Sequence, residues 1–365
     1  MDFKGWNQLF VDQNLQQFTS NQAGILWLKI KSILRKELIS EFLDINDINL
    51  IEKTLNGQFV ELFNLLSKNV AKSNKLLDKY IKQKSNDAIR KLRPEKLESE
   101  LYKVHSFEWG GDYQNSLDKY LVRKYIKTDE CSYDDLMSRI EPEIMPTVQS
   151  YIRNSWYNYW SSVLIESVFS EHSNVIPGIG KIKSVDFFIN QIPFDLKVTY
   201  LPAEYIKLKR KYFGFPVELT MLKKEARNFG ISFDSNSSDN NVYYEIKTKM
   251  EERDCCKGVL DILNEQYDTI IRHSTDNKHE LARWLYENQG EMRFGAENRV
   301  YLILIDHSDV QQSWKLKRNL NLLRPTIHSH IDGFSSICMD DMKLDFTYKS
   351  HTYTSLADVI FVINH

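Results

Sequence analysis

Two aspartates and a lysine lie close together in one short stretch of the chain. Asp186 stands in the segment VDFFI, and Asp195 and Lys197 stand in the segment IPFDLKV that follows it. Both segments are rich in β-branched and aromatic residues, and Asn190-Gln191 lies between them, so the pattern predicts a β-hairpin. Residues two apart on a strand point to the same face. We therefore expect Asp195 and Lys197 side by side, with Asp186 on the neighbouring strand.

Two carboxylates and an ammonium group in a small volume suit phosphodiester hydrolysis with a divalent cation. Carboxylate oxygens and water are ligands that Mg²⁺ prefers. Bound Mg²⁺ lowers the pKa of a water molecule and offsets charge on a phosphate oxygen. Lys197 would hold or deprotonate that water. The alternative is a surface hairpin with an ordinary salt bridge, which contributes only ~0–1 kcal/mol.

The acid-x-Lys tripeptide alone does not identify a site, because the chain contains several copies of it. Other features must select among them. The tripeptide occurs five times, at residues 2–4, 195–197, 245–247, 276–278 and 341–343. Only the copy at 195–197 has apolar flanks and an acid on the far side of a predicted turn. The copy at 245–247 is the main competitor, since NVYYEIKTKM is also expected to be a strand. The segment Gly178–Lys181 (GIGK) is expected to be a turn into the hairpin.

The elements around these residues predict a helical region followed by an α/β region. Glycine and proline are scarce up to residue 109, which favours long helices. Leu26 to Phe42 form one helical face, and Phe59 to Leu77 another. After Pro177 the order is hairpin, helices, and the apolar runs RVYLILID and LADVIFVI, which are typical of buried strands. We expect a mostly helical region over 1–145, for DNA recognition or dimerisation, and an α/β domain over 146–365.

The segment VDFFINQIPFDLKVT resembles the signature of the PD-(D/E)xK nucleases, the family of type II restriction endonucleases and related DNases. Val185 stands where the family name has proline. The resemblance implies a restriction-endonuclease-like mixed sheet flanked by helices, with a core order of helix, three strands, helix and strand. It implies that Asp186, Asp195 and the Leu196 carbonyl hold Mg²⁺, and that Lys197 positions or activates water.

The same resemblance bears on the helix before the hairpin. Many family members add a glutamate from that helix to the metal site. The segment TVQSYIRNSWYNYWSSVLIESVF is expected to be helical, and it places Glu166 on the same face as Tyr159 and Val163. Glu166 is therefore the expected assisting acid, with Glu171 as its competitor.

Two basic clusters suggest a DNA ligand. The first comprises Lys207, Lys209, Arg210 and Lys211, with aromatic residues interleaved, and the second comprises Lys315, Lys317 and Arg318. Contacts of such side chains with phosphates give affinity that does not depend on sequence. The alternative for each cluster is a solvated helix face.

Composition limits the setting in which the protein works. Lys and Arg total 48 against 50 Asp and Glu, so the chain as a whole is not a basic nucleic-acid coat. The four cysteines form no CxxC pair, which favours a reducing, cytoplasmic location. The N-terminus lacks the pattern of a secretory signal, and no apolar run approaches ~20 residues, so no membrane segment is expected.

These features together predict a Mg²⁺-dependent, sequence-specific endonuclease for double-stranded DNA, a type II restriction enzyme. The family resemblance implies products with 5′-phosphate and 3′-hydroxyl ends. Double-strand cleavage usually needs two active sites, so a homodimer is expected. The alternatives are a DNA repair or replication nuclease of the same fold, and a non-catalytic DNA-binding protein.

Overall fold

The structure is a computed structural model, and it describes residues 1–105, 117–127, 132–182, 184–289, 297–334 and 339–365. The fold is α/β, with a six-stranded mixed sheet, flanking helices and a helical N-terminal region. The helices are α1 (Phe3–Val11), α2 (Gln16–Thr19), α3 (Gln22–Ser32), α4 (Lys36–Ile45), α5 (Leu55–Leu66), α6 (Val70–Leu92), α7 (Pro94–Leu101), α8 (Leu117–Leu121), α9 (Tyr133–Arg139), α10 (Met145–Glu171), α11 (Ala203–Tyr212), α12 (Glu218–Asn228), α13 (Asp239–Glu251), α14 (Lys257–Asp276), α15 (Lys278–Asn288), α16 (Leu320–Gly333) and α17 (Met339–Met342). The strands are β1 (Val175–Ile182), β2 (Val185–Ile189), β3 (Ile192–Tyr200), β4 (Arg299–Asp306), β5 (Lys343–Tyr348) and β6 (His351–Asn364).

The sheet has the strand order β1-β2-β3-β4-β6-β5. Strands β1, β2 and β3 form an antiparallel meander, whereas β3, β4 and β6 run parallel to one another. Strand β5 closes the far edge by antiparallel pairing with β6. The two apolar runs predicted as buried strands are β4 and β6, and both are confirmed.

Both faces of the central sheet are covered by helices, which explains the near-continuous apolar sequence of β4. Val300, Leu302 and Leu304 face one hydrophobic core together with α10 and α16. Tyr301 and Ile303 face a second core with the helices α11 to α15. Because side chains alternate along a strand, a strand buried on both faces needs apolar residues at every position.

The N-terminal helices pack against the β1–β2 edge of the sheet. Ile176 and Phe188 from this edge belong to the same hydrophobic core as residues of α1 to α6. At Gly180 the backbone of β1 approaches α3 so closely that an added Cβ would lie 2.0 Å from the Ser32 carbonyl oxygen. The predicted turn at residues 178–181 is therefore wrong. These residues form part of β1, and glycine is needed for this close approach.

Two further predictions about elements need correction. The face from Leu26 to Phe42 belongs to two helices, because α3 ends at Ser32 and α4 begins at Lys36. The segment NVYYEIKTKM is not a strand and forms most of α13. The Ser238 side chain caps this helix by accepting a hydrogen bond from the backbone N–H of Asn241.

Long helices in this fold are not membrane spans. None of the helices within the described ranges, including the 27-residue α10, combines the length and apolar character that crossing a membrane requires. Helix α10 instead buries residues such as Leu164 and Val168 against the sheet and exposes others such as Tyr159.

Candidate active site

The predicted hairpin is confirmed, and it carries both aspartates. Asn190 and Gln191 connect β2 to β3 with φ angles of 48° and 71°. Two left-handed residues in a two-residue connection match the twist of the flanking strands. The pairing Ile189–Ile192 next to the turn fixes the register of the strands. Asp186 therefore lies on β2 close to the position of Asp195 on β3.

Strand β3 changes its pairing partner at Asp195. Its residues 192–194 pair with β2, whereas residues 195–200 pair with β4. We call this point the fork. Where the strands separate, the backbone N–H of Leu196 donates a 2.7 Å hydrogen bond to Oδ2 of Asp186. The Asp186 carboxylate thus takes the place of a backbone acceptor, and it is held directly against the residue that follows Asp195.

Asp195 and Lys197 lie side by side as predicted. The Lys197 ammonium donates a 3.0 Å hydrogen bond to Oδ1 of Asp195 and lies 2.8 Å from Oδ2. Asp195 is buried, with 7% of its surface exposed, whereas nearly half of the Lys197 side chain faces solvent. The pair therefore places one buried acceptor and one accessible cation at the same point of the sheet.

Glu166 interacts electrostatically with Asp186, whereas Glu171 is engaged elsewhere. Protein atoms crowd the Glu166 carboxyl although the residue keeps solvent access, and this burial, with repulsion from Asp186, raises its pKa to about 7. Glu171 accepts hydrogen bonds from Arg324 at 2.8 and 3.2 Å on another part of the surface. Of the two glutamates proposed from the sequence, Glu166 is the one that interacts electrostatically with an aspartate of the site, Asp186.

The carboxyl groups at the fork share one electrostatic environment. Burial raises the pKa of Asp195 to about 6; Lys197 opposes the shift, while Asp186 and Glu297 add to it. Burial also raises the pKa of Asp186, against the opposing effects of the Leu196 N–H and of Lys197. Buried like charges are costly, so this arrangement favours a bound cation.

Sequence reasoning missed two buried charged residues at the start of β4. Glu297 and Arg299 are 3% and 6% exposed, and they form an ion pair of 3.2 Å. Nε of Arg299 lies 3.6 Å from Oδ2 of Asp195, and its guanidinium stacks over the Tyr286 ring at 4.8 Å. Charged residues are rarely buried without partners, so the charges leading into RVYLILID were a signal of a polar site.

The donor set at the fork fits Mg²⁺ with a small number of protein ligands. Across the described ranges, no three His, Cys, Asp or Glu side chains are close enough to hold one ion. Asp186, Asp195 and the Leu196 carbonyl remain, and Mg²⁺ is usually bound by one or two carboxylates while it keeps several waters. Oδ2 of Asp195 is buried and receives no well-directed hydrogen bond, despite its ion pair with Lys197. A cation would satisfy that oxygen.

The competing tripeptide does not form such a site. Glu245 and Lys247 lie on helix α13, where the spacing of two residues separates the side chains around the helix. Glu245 pairs with Lys249 at 2.6 Å, and Lys247 lies 3.9 Å from Glu251. These are ordinary i,i+4 pairs of a helix. The alternative site depended on a strand at residues 245–247, and these residues are helical.

The first predicted DNA-binding cluster is only partly available to a ligand. Lys209 is 2% exposed and pairs with Glu280 at 2.6 Å. Arg210 is 3% exposed and donates hydrogen bonds to the Pro216 carbonyl and to Gln266. These two residues fasten α11 to neighbouring elements, so their assignment to phosphate contacts is corrected. Lys211 is exposed, and so is Lys207, which pairs with Glu204.

The second cluster also combines a buried structural residue with residues that are less buried. Arg318 is buried and donates hydrogen bonds to the carbonyls of Leu101 and Val104, so it is a structural residue and not a phosphate contact. Lys317 donates a 3.1 Å hydrogen bond to Oδ1 of Asn158. Lys315 is only partly buried, with its ammonium 5.9 Å from the Trp314 ring.

Lys317 provides a test of this reassignment through stability. The residue as a whole is only partly buried, but burial of its ammonium lowers the pKa from the ordinary 10.5 to about 8. Because this pKa is lower in the folded protein than in the unfolded chain, the charged form of Lys317 destabilises the fold. The destabilisation is complete below pH 8, and it decreases as the pH rises toward 10.5. Lys317→Met should therefore raise the free energy of unfolding by roughly 1–2 kcal/mol at pH 7, with the gain fading near pH 10.5. Denaturant unfolding at both pH values measures this, with Lys315→Met as the control that should change little. A loss of stability at pH 7 would contradict the assignment.

Comparisons with known proteins give no further information about the function of this chain. A scan against protein-family models and searches of curated proteins and of solved structures all gave no significant match. The functional interpretation therefore depends on the geometry at the fork and on the signature around Asp186 and Asp195.

Proposed function

We propose that this chain is a Mg²⁺-dependent endonuclease that hydrolyses phosphodiester bonds of double-stranded DNA, in the manner of a type II restriction enzyme. One observation carries the proposal: the Asp186 carboxylate binds the Leu196 N–H at the fork, beside the buried Asp195 and its partner Lys197. The antiparallel meander continued by parallel β4 agrees with the element order that the PD-(D/E)xK resemblance implies. A homodimer follows from the need for two active sites in double-strand cleavage.

The residues at the fork divide the chemical work among them. Asp186, Asp195 and the Leu196 carbonyl would hold the ion, which when bound would lower the pKa of water and neutralise charge on the phosphate. Lys197, nearly half exposed, can orient a water molecule toward the phosphorus atom from the solvent side. Glu166, with a pKa of about 7, can accept or give a proton near neutral pH.

A nuclease that acts on DNA ends or branches is the second candidate. The observation in its favour is an exposed tryptophan, Trp156, on the same helix as Glu166. Exposed aromatic rings bind unpaired bases, which duplex DNA does not offer. The third reading, a DNA-binding protein without catalysis, predicts binding that needs no metal.

Incubation of circular plasmid with the protein and Mg²⁺, followed by mapping of the ends, tests the proposal. Discrete linear fragments with 5′-phosphate ends would support a restriction enzyme, and no cleavage should occur with EDTA in place of Mg²⁺. Digestion of forked or linear substrates alone would favour the second candidate. Binding without any cleavage would contradict nuclease function altogether.

Lys197 offers a sharper test of the assigned chemistry. Lys197→Gln should reduce the cleavage rate by roughly 10²-fold or more, because proton-transfer and water-positioning groups typically contribute 10²–10⁴-fold. Lys197→Arg should rescue it poorly, since a guanidinium keeps its proton at working pH and has a different shape from an ammonium. Single-turnover cleavage assays measure both variants, and Lys72→Arg is the matched control on an exposed lysine of α6. A normal rate for Lys197→Arg would exclude a proton-handling role.

A further inference from the structure

A cleft lies between the C-terminal end of α6, the start of α7 and the middle of α10. Its volume is about 930 Å³, in the upper part of the ~300–1,000 Å³ range of small-ligand sites. We call it the tryptophan cleft, and define it by Lys91, Arg93, Lys96, Trp156 and Trp160, which line it. None of the residues that line it belongs to the carboxylate cluster at the fork.

The tryptophan cleft carries positive charge that no ion pair among the described residues neutralises. Of its other charged lining residues, Arg90 pairs with Asp87, and Glu100 pairs with Lys103. The side chains of Lys91, Arg93 and Lys96 are exposed, and none of them has an ion-pair partner among the described residues. Three unpaired cations around one concavity attract an anionic ligand.

The corner that forms the cleft has an unusual backbone. Arg93 adopts a left-handed conformation, with φ 54° and ψ 72°, and Pro94 begins the next helix directly after it. A residue with a Cβ is disfavoured in this conformation, and more so before proline. The sharp corner turns α7 away from α6 and places their basic residues around a single opening.

The aromatic side of the cleft is exposed to solvent. Trp156 keeps 38% of its surface accessible, and Trp160 is partly buried against the core of the sheet, with an edge-to-face contact to Tyr159 at 5.1 Å. Tryptophan is highly buried on average, and the accessible surface of Trp156 leaves its ring within reach of a ligand in the cleft. An indole face beside lysine and arginine is the combination that binds a nucleotide, because the base stacks on the ring and the phosphates meet the cations.

Helix α10 connects the tryptophan cleft to the fork. Trp156 and Glu166 lie ten residues apart on it, which is ~15 Å along the helix axis at ~1.5 Å per residue. That axial distance is on the order of a few nucleotides of one strand. The cleft and the carboxylates are therefore close enough for one DNA strand to contact both.

We propose that the tryptophan cleft binds unpaired nucleotides of the DNA strand that is cut at the fork, with Trp156 stacked on a base and Lys91, Arg93 and Lys96 at its phosphates. The identity of the ligand rests on the proposed nuclease function. The unpaired nucleotides come either from a base flipped out of a duplex or from the single-stranded arm of a branched substrate. Bases within an intact duplex present no free face to an indole ring, so the cleft engages a duplex only where a base has left the stack.

Binding of fluorescent oligonucleotides in EDTA tests this inference separately from cleavage. The probes are a 12-nucleotide oligothymidylate, a 12-base-pair duplex and a fork with a single-stranded arm. Trp156→Ala should weaken binding of the oligothymidylate roughly tenfold, whereas Trp156→Phe, which keeps an aromatic face, should retain most of it. Lys91→Gln and Lys96→Gln should each reduce the slope of log K against log salt by ~0.7. Lys72→Gln, an exposed lysine of α6 outside the cleft, is the matched control.

The three probes distinguish the source of the unpaired base. Weakened binding of both duplex and fork by Trp156→Ala supports base flipping, and weakened binding of the fork alone supports a branched substrate. The inference would be overturned if Trp156→Ala, Lys91→Gln and Lys96→Gln all bind the oligothymidylate as tightly as the parent does, even if plasmid is cleaved. Loss of oligothymidylate binding in these variants supports the cleft, even if the parent cleaves no DNA with Mg²⁺ and the proposed nuclease function fails.

Discussion

Asp195→Asn should abolish Mg²⁺-dependent DNA cleavage while leaving the protein folded. The substitution keeps the shape of the side chain but removes the negative charge that would hold the ion. Loss of one group that stabilises transition-state charge typically costs ~10²–10³ in rate, and we expect at least that loss for Asp195→Asn and for Asp186→Asn. Cleavage of plasmid under single-turnover conditions measures the effect.

A matched control comes from another copy of the same tripeptide. Asp276 is exposed at the end of α14, with Lys278 two residues later, so Asp276→Asn should cleave like the parent. The Asp195→Asn protein should unfold at no lower denaturant concentration than the parent in EDTA, because the charge it loses is buried and costly. Full cleavage by Asp195→Asn would exclude the fork as the metal site, and poor folding of this variant would leave Asp186→Asn as the decisive test.

Lys29→Met should lower the free energy of unfolding. Lys29 on α3 is fully buried, and its ammonium binds Asp78 on α6 and Oε1 of Gln191 in the hairpin turn. Gln191 in turn donates a 3.0 Å hydrogen bond to Asp78. Removing one partner of a buried ion pair costs about 3–5 kcal/mol when the remaining charge is left without compensation. Here Asp78 keeps its hydrogen bond from Gln191, and burial lowers the pKa of Lys29, so that its charged form is itself costly. We therefore expect a smaller loss of roughly 1–3 kcal/mol.

Denaturant unfolding of Lys29→Met measures this loss. The control is Lys84→Met, which breaks the more exposed Lys84–Glu41 pair and should cost less than about 1 kcal/mol. Because Gln191 belongs to the turn that sets the register of β2 and β3, folded Lys29→Met protein at low temperature should also cleave more slowly. Equal stabilities for the two variants would show that the network around Lys29 contributes little.

The hairpin could be predicted from the sequence because its determinants are local. A two-residue turn at Asn190-Gln191, period-two spacing of Asp195 and Lys197, and an acid on the previous strand lie within twelve consecutive residues. Turn chemistry and strand periodicity act over such distances. The buried runs of β4 and the helix that carries Glu166 were predictable for the same reason.

Features that depend on distant residues could not be predicted in this way. Lys209 and Arg210 look like a DNA-binding cluster in the sequence, but their partners Glu280 and Gln266 lie more than fifty residues away. Arg299 joins the site only because β4 pairs with β3 in parallel, opposite Asp195. In α13 the aromatic and β-branched residues favoured a strand, yet burial of one helical face overrode this local propensity.

The contact between α3 and the hairpin also constrains the order in which the chain can fold during synthesis. Lys29 and Gln191 are 162 residues apart, so the N-terminal helices leave the ribosome long before the hairpin does. Until then the buried ammonium of Lys29 has only Asp78 as a partner, and the apolar surface that later covers Ile176 and Phe188 remains exposed. Partly folded chains with exposed apolar surface are prone to aggregate. Arrival of the hairpin would close this surface and bring Asp186 beside Asp195, whereas the fork is complete only after β4, which follows later in the chain, has paired with β3.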